Sequence, residues 1–237
     1  MGCLYRSVKY YEFMTKKKRA VSAKTLPVRQ DTRTRLMQTM LGLIWSASYN
    51  AVSVEDICKA AGAQKGSFYH FFPSKAALVY EVFKQEWEQC KSELDEVFSA
   101  SRPALERFQR LGELMLEEQI EKRKEFGYVC GCPFVTVGSE LATQNEQMRA
   151  QVEAVFASHT RYIESTLRDA IAEGLLPADT DIRVKAKEID NFLLGTLLVI
   201  RIRNSIEPLK QAFATSIYHL LGLKPPKATK KVAPKAA

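Results

Sequence analysis

Apolar residues recur along the middle of this chain at intervals of three and four, and the alternation expected of strands is absent, so the pattern predicts helices almost throughout. Leu36, Met40, Leu43, Ile44 and Ala47 make one stripe of a first helix over about 31–48. Ser53 can cap a second, short helix that ends at Gly62, and a third runs from about Gln64 to Phe71, stopped by Pro73. Ser74 opens a long fourth helix reaching about Ala100, and Ser101-Arg102-Pro103 a fifth to about Lys124. Pro133 begins a sixth, Gln144 a long seventh ending at Gly174, and Asp181 and Ser205 cap the last two. The fold class is therefore all-α.

Two short helices separated only by Ala61-Gly62-Ala63 cannot lie side by side and must cross steeply, which predicts a helix-turn-helix. Val54, Ile57, Cys58, Ala61, Phe68 and Phe72 supply the apolar contacts that hold this crossing against the first helix. Facing away from them, the third helix offers Gln64, Lys65, Ser67, Tyr69 and His70, hydrogen-bonding groups on a helix that Gly66 and Ser67 keep slim enough to enter a major groove. Taken alone, the pattern also fits a plain three-helix bundle with a polar outer face.

Charge separates these alternatives only partly. The chain's net charge of +8 is carried by its ends: residues 1–30 hold eight Lys/Arg against Glu12, residues 224–237 hold five Lys and no acid, and the stretch between them is left at −4. A basic, flexible N-terminal arm (1–30) and a similar tail (224–237) are expected, and arms of this kind suit a polyanion, nucleic acid first. The apolar run from Phe192 to Ile200 stops at Arg201 and falls short of a membrane span, so no membrane partner is expected. The first residues lack an apolar signal region, and five scattered cysteines without one read as reduced thiols, giving a cytoplasmic expectation. No glycine-rich phosphate loop, HExxH or nucleophile elbow occurs, and His159 and His219 have no ligand spacing to Cys130 and Cys132; neither an enzyme nor a cofactor or metal site is expected.

The segment Thr34-Arg35-Leu36 through Val52-Ser53-Val54-Glu55-Asp56-Ile57-Cys58-Lys59-Ala60-Ala61-Gly62, followed by Lys65-Gly66-Ser67-Phe68-Tyr69-His70-Phe71-Phe72-Pro73-Ser74-Lys75-Ala76-Ala77-Leu78, closely resembles the DNA-binding domain of the TetR/AcrR family. The resemblance implies a helix-turn-helix domain over 31–83 and an effector-binding and dimerisation domain over 84–223. It also implies a homodimer on a palindromic double-stranded DNA operator that a small-molecule effector releases. Carried over by position, Ser53, Tyr69, His70 and Lys75 resemble phosphate contacts, and Gln64, Lys65 and Ser67 occupy base-reading positions. Ser53 and Lys75 also stand at helix N-termini, where free N–H groups attract phosphate. Phe71 departs from the polar residue frequent in relatives, and Ala76-Ala77 lack an acid that strengthens the next cap. The alternative is an architectural DNA-binding protein without effector control.

Gly131-Cys132-Pro133-Phe134-Val135 through Ser139-Glu140-Leu141, with Arg201-Ile202-Arg203-Asn204-Ser205-Ile206-Glu207-Pro208-Leu209, is similar to the branch containing the repressors of N-ethylmaleimide reductase and of acrylate metabolism. In that branch the cysteine matching Cys132 is implicated in sensing electrophiles, and Arg201 stands in place of a lysine. Independently, Pro133 at a first helical position puts Cys132 at an N-cap, where the helix dipole lowers a thiol pKa. Cys130 and Cys132 can equally be small buried residues. Phe126, Tyr128, Phe134 and Arg201 complete the expected effector site. In the last two helices, Ile189, Phe192, Leu193, Thr196, Leu197 and Ile200 with Leu209, Ala212, Phe213, Ile217 and Leu220 form stripes rich enough for a four-helix dimer interface, or for an internal seam.

Overall fold

The computed structural model describes residues 31–226, and among them every regular element is helical. The expected basic arm, and the tail beyond residue 226, lie outside the described residues. Helix α1 (Thr32–Ser46) starts where Asp31 accepts the Thr34 amide, and α2 (Val54–Ala61) starts at a complete capping box between Ser53 and Asp56. Gly62 closes α2 at φ +60°, a left-handed conformation that lets the Ala63 amide return to the Cys58 carbonyl. The next element is α3 (Lys65–Phe71), followed by α4 (Lys75–Val97) with Ser74 as its cap. Helices α5 (Ala104–Phe126) and α6 (Pro133–Leu141) flank a loop, and Asn145, not Gln144, caps α7 (Glu146–Ala172). Asp181 caps α8 (Ile182–Arg203). The last helix, α9, runs through Glu207–Gln211, a π-helical turn over Ala212–Ser216, and Ile217–Leu220. It opens after Ile206, so Ser205 lies one place outside the cap, although its hydroxyl still accepts the Glu207 amide.

Two buried clusters share α4. Leu78, Val79, Val82 and Phe83 pack with Leu36, Met40, Ile44, Ile57, Phe68 and Phe72, whereas Leu94 and Val97, farther along, join α5, α7, α8 and α9. The first cluster also takes in Phe134, Val137 and Leu141 of α6 and Met148, Val152 and Val155 of α7. The boundary expected at 83/84 thus falls inside one continuous helix, and the helix-turn-helix shares its core with the rest of the chain. All six apolar residues expected to hold the crossing face inward, with Phe68 fully buried and Val54 half-buried.

Most of the rich stripes on α8 and α9 face an internal seam, with Phe192, Phe213 and Leu220 half-buried at its edge. Ile189, Leu193, Leu197 and Ile200 are buried against α7 and the loop before α6, while Leu209, Ala212 and Ile217 are buried against α5 and α8, so these side chains are not available to a second subunit. Gly112 makes the α5–α9 contact possible: a Cβ there would lie 2.4 Å from the Phe213 ring. A different set, Gly195, Leu198 and Ile202, stands exposed on α8 at spacings of three and four, and Leu198 and Ile202 are 41% and 74% exposed.

The loop between α5 and α6 is pressed onto α8. Gly131 has φ +70°, and a Cβ on it would lie 2.7 Å from the Leu197 carbonyl oxygen; buried Gln119 pairs with its amide and carbonyl at 2.9 and 3.0 Å. Gly131→Ala should therefore destabilise the fold by about 2–4 kcal/mol, combining left-handed strain with a backbone collision. Equilibrium urea denaturation measures this, and a loss below about 1 kcal/mol would show that the loop can move away.

Candidate functional site

The outer face of α3 is formed as the pattern predicts. Gln64, Lys65, Tyr69 and His70 are exposed, Ser67 is half-buried, and Tyr69 keeps 50% of its surface in solvent while Phe68 beside it anchors the helix. Not all of these groups are idle. The Lys65 ammonium pairs with Glu55 of α2, an exposed ion pair of the kind worth at most about 1 kcal/mol and readily exchanged for another anion. The Ser53 hydroxyl donates to Asp56 Oδ2 at 2.6 Å and accepts the Asp56 amide at 3.1 Å, so both its hydrogen-bonding capacities serve the capping box.

Lys75 corrects the expectation of an outward phosphate contact. Its Nζ donates to the carbonyls of Tyr49 and Val52 at 2.8 and 2.6 Å and lies 3.9 Å from the centre of the Tyr49 ring. The turn between α1 and α2 presents these carbonyls inward, and the nearest cation satisfies them. From the other side, Glu140 on α6 accepts the Ser48 hydroxyl at 2.7 Å and the amides of Tyr49 and Asn50 at 3.3 and 3.0 Å. One turn is thus held by a lysine from α4 and a carboxylate from α6. Glu140 entered the sequence reading only as part of a resemblance, since nothing local signals a partner ninety residues away.

Behind the helix-turn-helix, α1, α4, α5, α7, α8, the loop before α6 and the start of α6 surround an open-mouthed cavity of about 120 Å³. Its wall is mostly apolar and aromatic, with Trp45, Phe83, Trp87, Phe134 and Phe156 prominent, and three carboxyl groups, Glu86, Glu93 and Glu118, interrupt it. Burial pushes Glu86 and Glu118 up to about 7, against the pull of Lys122. The Lys122 ammonium is itself buried, paired with Glu125 at 3.3 Å and set 4.8 Å from the centre of the Trp45 ring. His159, also on the wall, lies 3.6 Å from the buried Asp190 carboxylate. These acids escaped the sequence reading, although Glu86, Cys90 and Glu93 fall at helical spacing on the apolar face that Phe83, Trp87 and Leu94 define, a pattern that solvation does not explain.

Of the residues expected to bind an effector, Cys132 and Phe134 line this cavity; Phe126, Tyr128 and Arg201 do not. Arg201 donates to the Cys130 carbonyl at 2.7 Å and reaches the Trp45 carbonyl at 3.4 Å, and the Tyr128 hydroxyl donates to the Ser46 carbonyl. Phe126 sits beside the Lys122 ammonium. Arg201 and Tyr128 thus belong to the seam between the loop and the end of α1, where their polar groups satisfy backbone carbonyls. Cys132 does occupy the N-cap of α6, as Pro133 implies, yet its thiol is pushed up to about 11. The Val135 and Phe134 amides draw it down, but removal from water outweighs them.

Both perturbed groups give measurable consequences. Glu118 binds a proton more tightly folded than unfolded, so its contribution to stability is complete at pH below about 4.5 and is lost as pH rises through about 7. Glu118→Gln should stabilise the protein by about 1–3 kcal/mol at pH 8 and by much less at pH 5; thermal melts at the two pH values compare them. For Cys132, maleimide labelling at pH 7 should run about a hundredfold slower than for a free thiol and accelerate with pH beyond 9. Mass spectrometry of tryptic peptides measures the rate, and labelling at free-thiol speed would show that the N-cap prevails over burial.

Comparison with known proteins agrees with this architecture. Residues 38–82 match the model of the bacterial regulatory proteins of the tetR family, and residues 104–216 match that of the tetracyclin repressor-like C-terminal domain. The chain is 31% identical over 147 residues to the transcriptional regulator AcuR of Cereibacter sphaeroides, a match spanning 62% of this chain and 65% of that protein. It is 22% identical over 184 residues to the HTH-type transcriptional repressor NemR of Escherichia coli, covering 78% and 91% of the two chains. A regulatory protein TetR from Rhodobacter sphaeroides superposes with a TM-score of 0.69 at 26% identity over 81% of this chain and 97% of its own. The reduced form of E. coli NemR gives the same TM-score at 23% identity, over 84% and 100% of the chains, a likeness of fold. With a helix-turn-helix in its first half and the matching helical domain in its second, the chain belongs to the TetR family of transcriptional regulators.

Proposed function

We propose that this protein is a cytoplasmic transcriptional repressor that binds a palindromic operator as a homodimer and is released when a small molecule fills the cavity behind its helix-turn-helix. The observation that carries this reading is the composition of the cavity wall, which includes Ile44 and Trp45 of α1, the helix on which α2 and α3 pack. An occupant touches the scaffold of the DNA-reading unit directly. The C-terminal carbonyls of α1 are held by Arg201 and Tyr128, and the following turn by Glu140 and Lys75, so a shift of the loop or of α6 moves the base of the helix-turn-helix. A ligand acts only through its differential affinity for the two arrangements.

In DNA, α3 lies in the major groove. Gln64, Lys65 and Ser67 read base edges, and Tyr69 and His70 donate to phosphates on either side. The exposed Gly195, Leu198 and Ile202 of α8, rather than the buried stripe, supply the apolar seam for the second subunit, whose symmetry matches that of a palindrome. Cys132 serves as part of the wall, and reversible occupation suits its protonated thiol better than alkylation does.

Selection of random DNA fragments by the purified protein, followed by a salt titration on the selected site, tests the reading. Lys65→Ala and Ser67→Ala should each cost about 1–3 kcal/mol of discrimination at one base position. Glu55→Gln should free Lys65 and raise affinity for all sequences. Lys75→Ala should lower the melting temperature while leaving the salt slope unchanged, because its ammonium faces inward. Uniform weak binding to all fragments, with a steep salt dependence, would instead mark an architectural DNA-binding protein.

A further inference from the structure

A cavity selects its ligand by the charged groups on its wall, and here those groups carry one sign. Glu86, Glu93 and Glu118 line the space, and among the described residues that line it none is a lysine or an arginine. Lys122, the buried cation nearest them, is committed to Glu125 and to the Trp45 ring and is not part of the wall. No hydrogen bond reaches the carboxyl of Glu86 or of Glu118; burial and through-space charge alone act on them. Glu118 is half-buried and meets open space in the cavity that it lines. Keeping two unbonded carboxyl groups in an apolar wall costs stability, and such a cost is tolerated where a partner arrives later.

The rest of the wall narrows the partner's chemistry. Trp87, Phe134 and Phe156 present aromatic surface beside the acids, which suits a positive charge carried on an apolar body. No group of His, Cys, Asp and Glu among the described residues is placed to hold a metal ion. We infer that the cavity takes an organic cation, an amine or quaternary ammonium compound with an apolar or aromatic body, whose charge is met by Glu86 and Glu118. A carboxylate effector, in contrast, would face three acids with no lysine or arginine among the described residues of the wall. The inference rests on reading this chain as a repressor with an effector cavity, and it names the class of effector.

The test uses three soluble probes of similar size on the full chain: benzyltrimethylammonium, 2-phenylethanol and phenylacetate. Calorimetry, with the fluorescence of the wall tryptophans Trp45 and Trp87 as a second reading, measures affinity; displacement of labelled operator measures release. The cation should bind about tenfold or more tighter than either of the others. A Glu86→Gln, Glu118→Gln double variant should lose about tenfold or more of the cation affinity while keeping that for 2-phenylethanol, which shows that the cavity is still formed. Protons compete for the same carboxyls, so the unaltered protein offers a control that needs no variant. Glu86, Glu93 and Glu118, with Cys90, Cys132 and His159 also on the wall and Glu121 and Lys122 near the carboxyls, are the charged and titratable groups around the ligand, and protonation of the carboxyls opposes a cation. Cation affinity should therefore rise from pH 6 to pH 8. Phenylacetate binding as tightly as the cation, an unchanged cation affinity in the double variant, or a flat pH profile overturns the inference. Cation binding without release of operator upholds the cation site and overturns the release mechanism; release by phenylacetate alone does the reverse.

Discussion

The last carbonyls of an α-helix have no partner within it, and at the end of α1 those partners come from the other half of the chain. Trp45 and Ser46 present their carbonyls to Arg201 and Tyr128 instead of to water. Much else depends on this arrangement. It fixes the first helix of the DNA-reading unit to the loop before α6 and to the end of α8, while the two buried clusters share α4 and α7. The neighbouring turn repeats the device with Lys75 and Glu140, so the base of the helix-turn-helix is held by polar groups that α4, α6 and α8 position. Directional bonds of this sort suit a switch, since a displacement that a fluid apolar contact would absorb must either move both partners or break the bond.

The cavity shows the opposite economy. Most of the interior is apolar and closely packed, but Glu86 and Glu118 hold carboxyls at a depth where the charged form is penalised and no donor relieves them. The same removal from water controls Cys132. A helix N-terminus favours a thiolate by a fraction of what burial in an apolar wall takes away, and the larger effect sets the protonation state. Acids and thiol therefore answer to one local property, low access to water, which sharpens selection by charge and dulls thiol nucleophilicity.

What the sequence determined by itself was most of what depends on neighbours within about four residues. Helical periodicity, the caps at Ser53, Ser74 and Asp181, the left-handed close at Gly62, the N-cap place of Cys132 and the polar outer face of α3 are all of this kind, because they follow from local backbone geometry and side-chain spacing. Tertiary structure decided which of two apolar faces on α8 is buried, because period alone marks stripes without saying what covers them. It also turned Lys75 inward, kept Phe126, Tyr128 and Arg201 out of the cavity wall, set Tyr128 and Arg201 in the seam, and gathered Glu86, Glu93 and Glu118 around one space. Those outcomes rest on contacts between residues many tens of positions apart and on the exclusion of water, and neither is encoded in any short stretch of sequence.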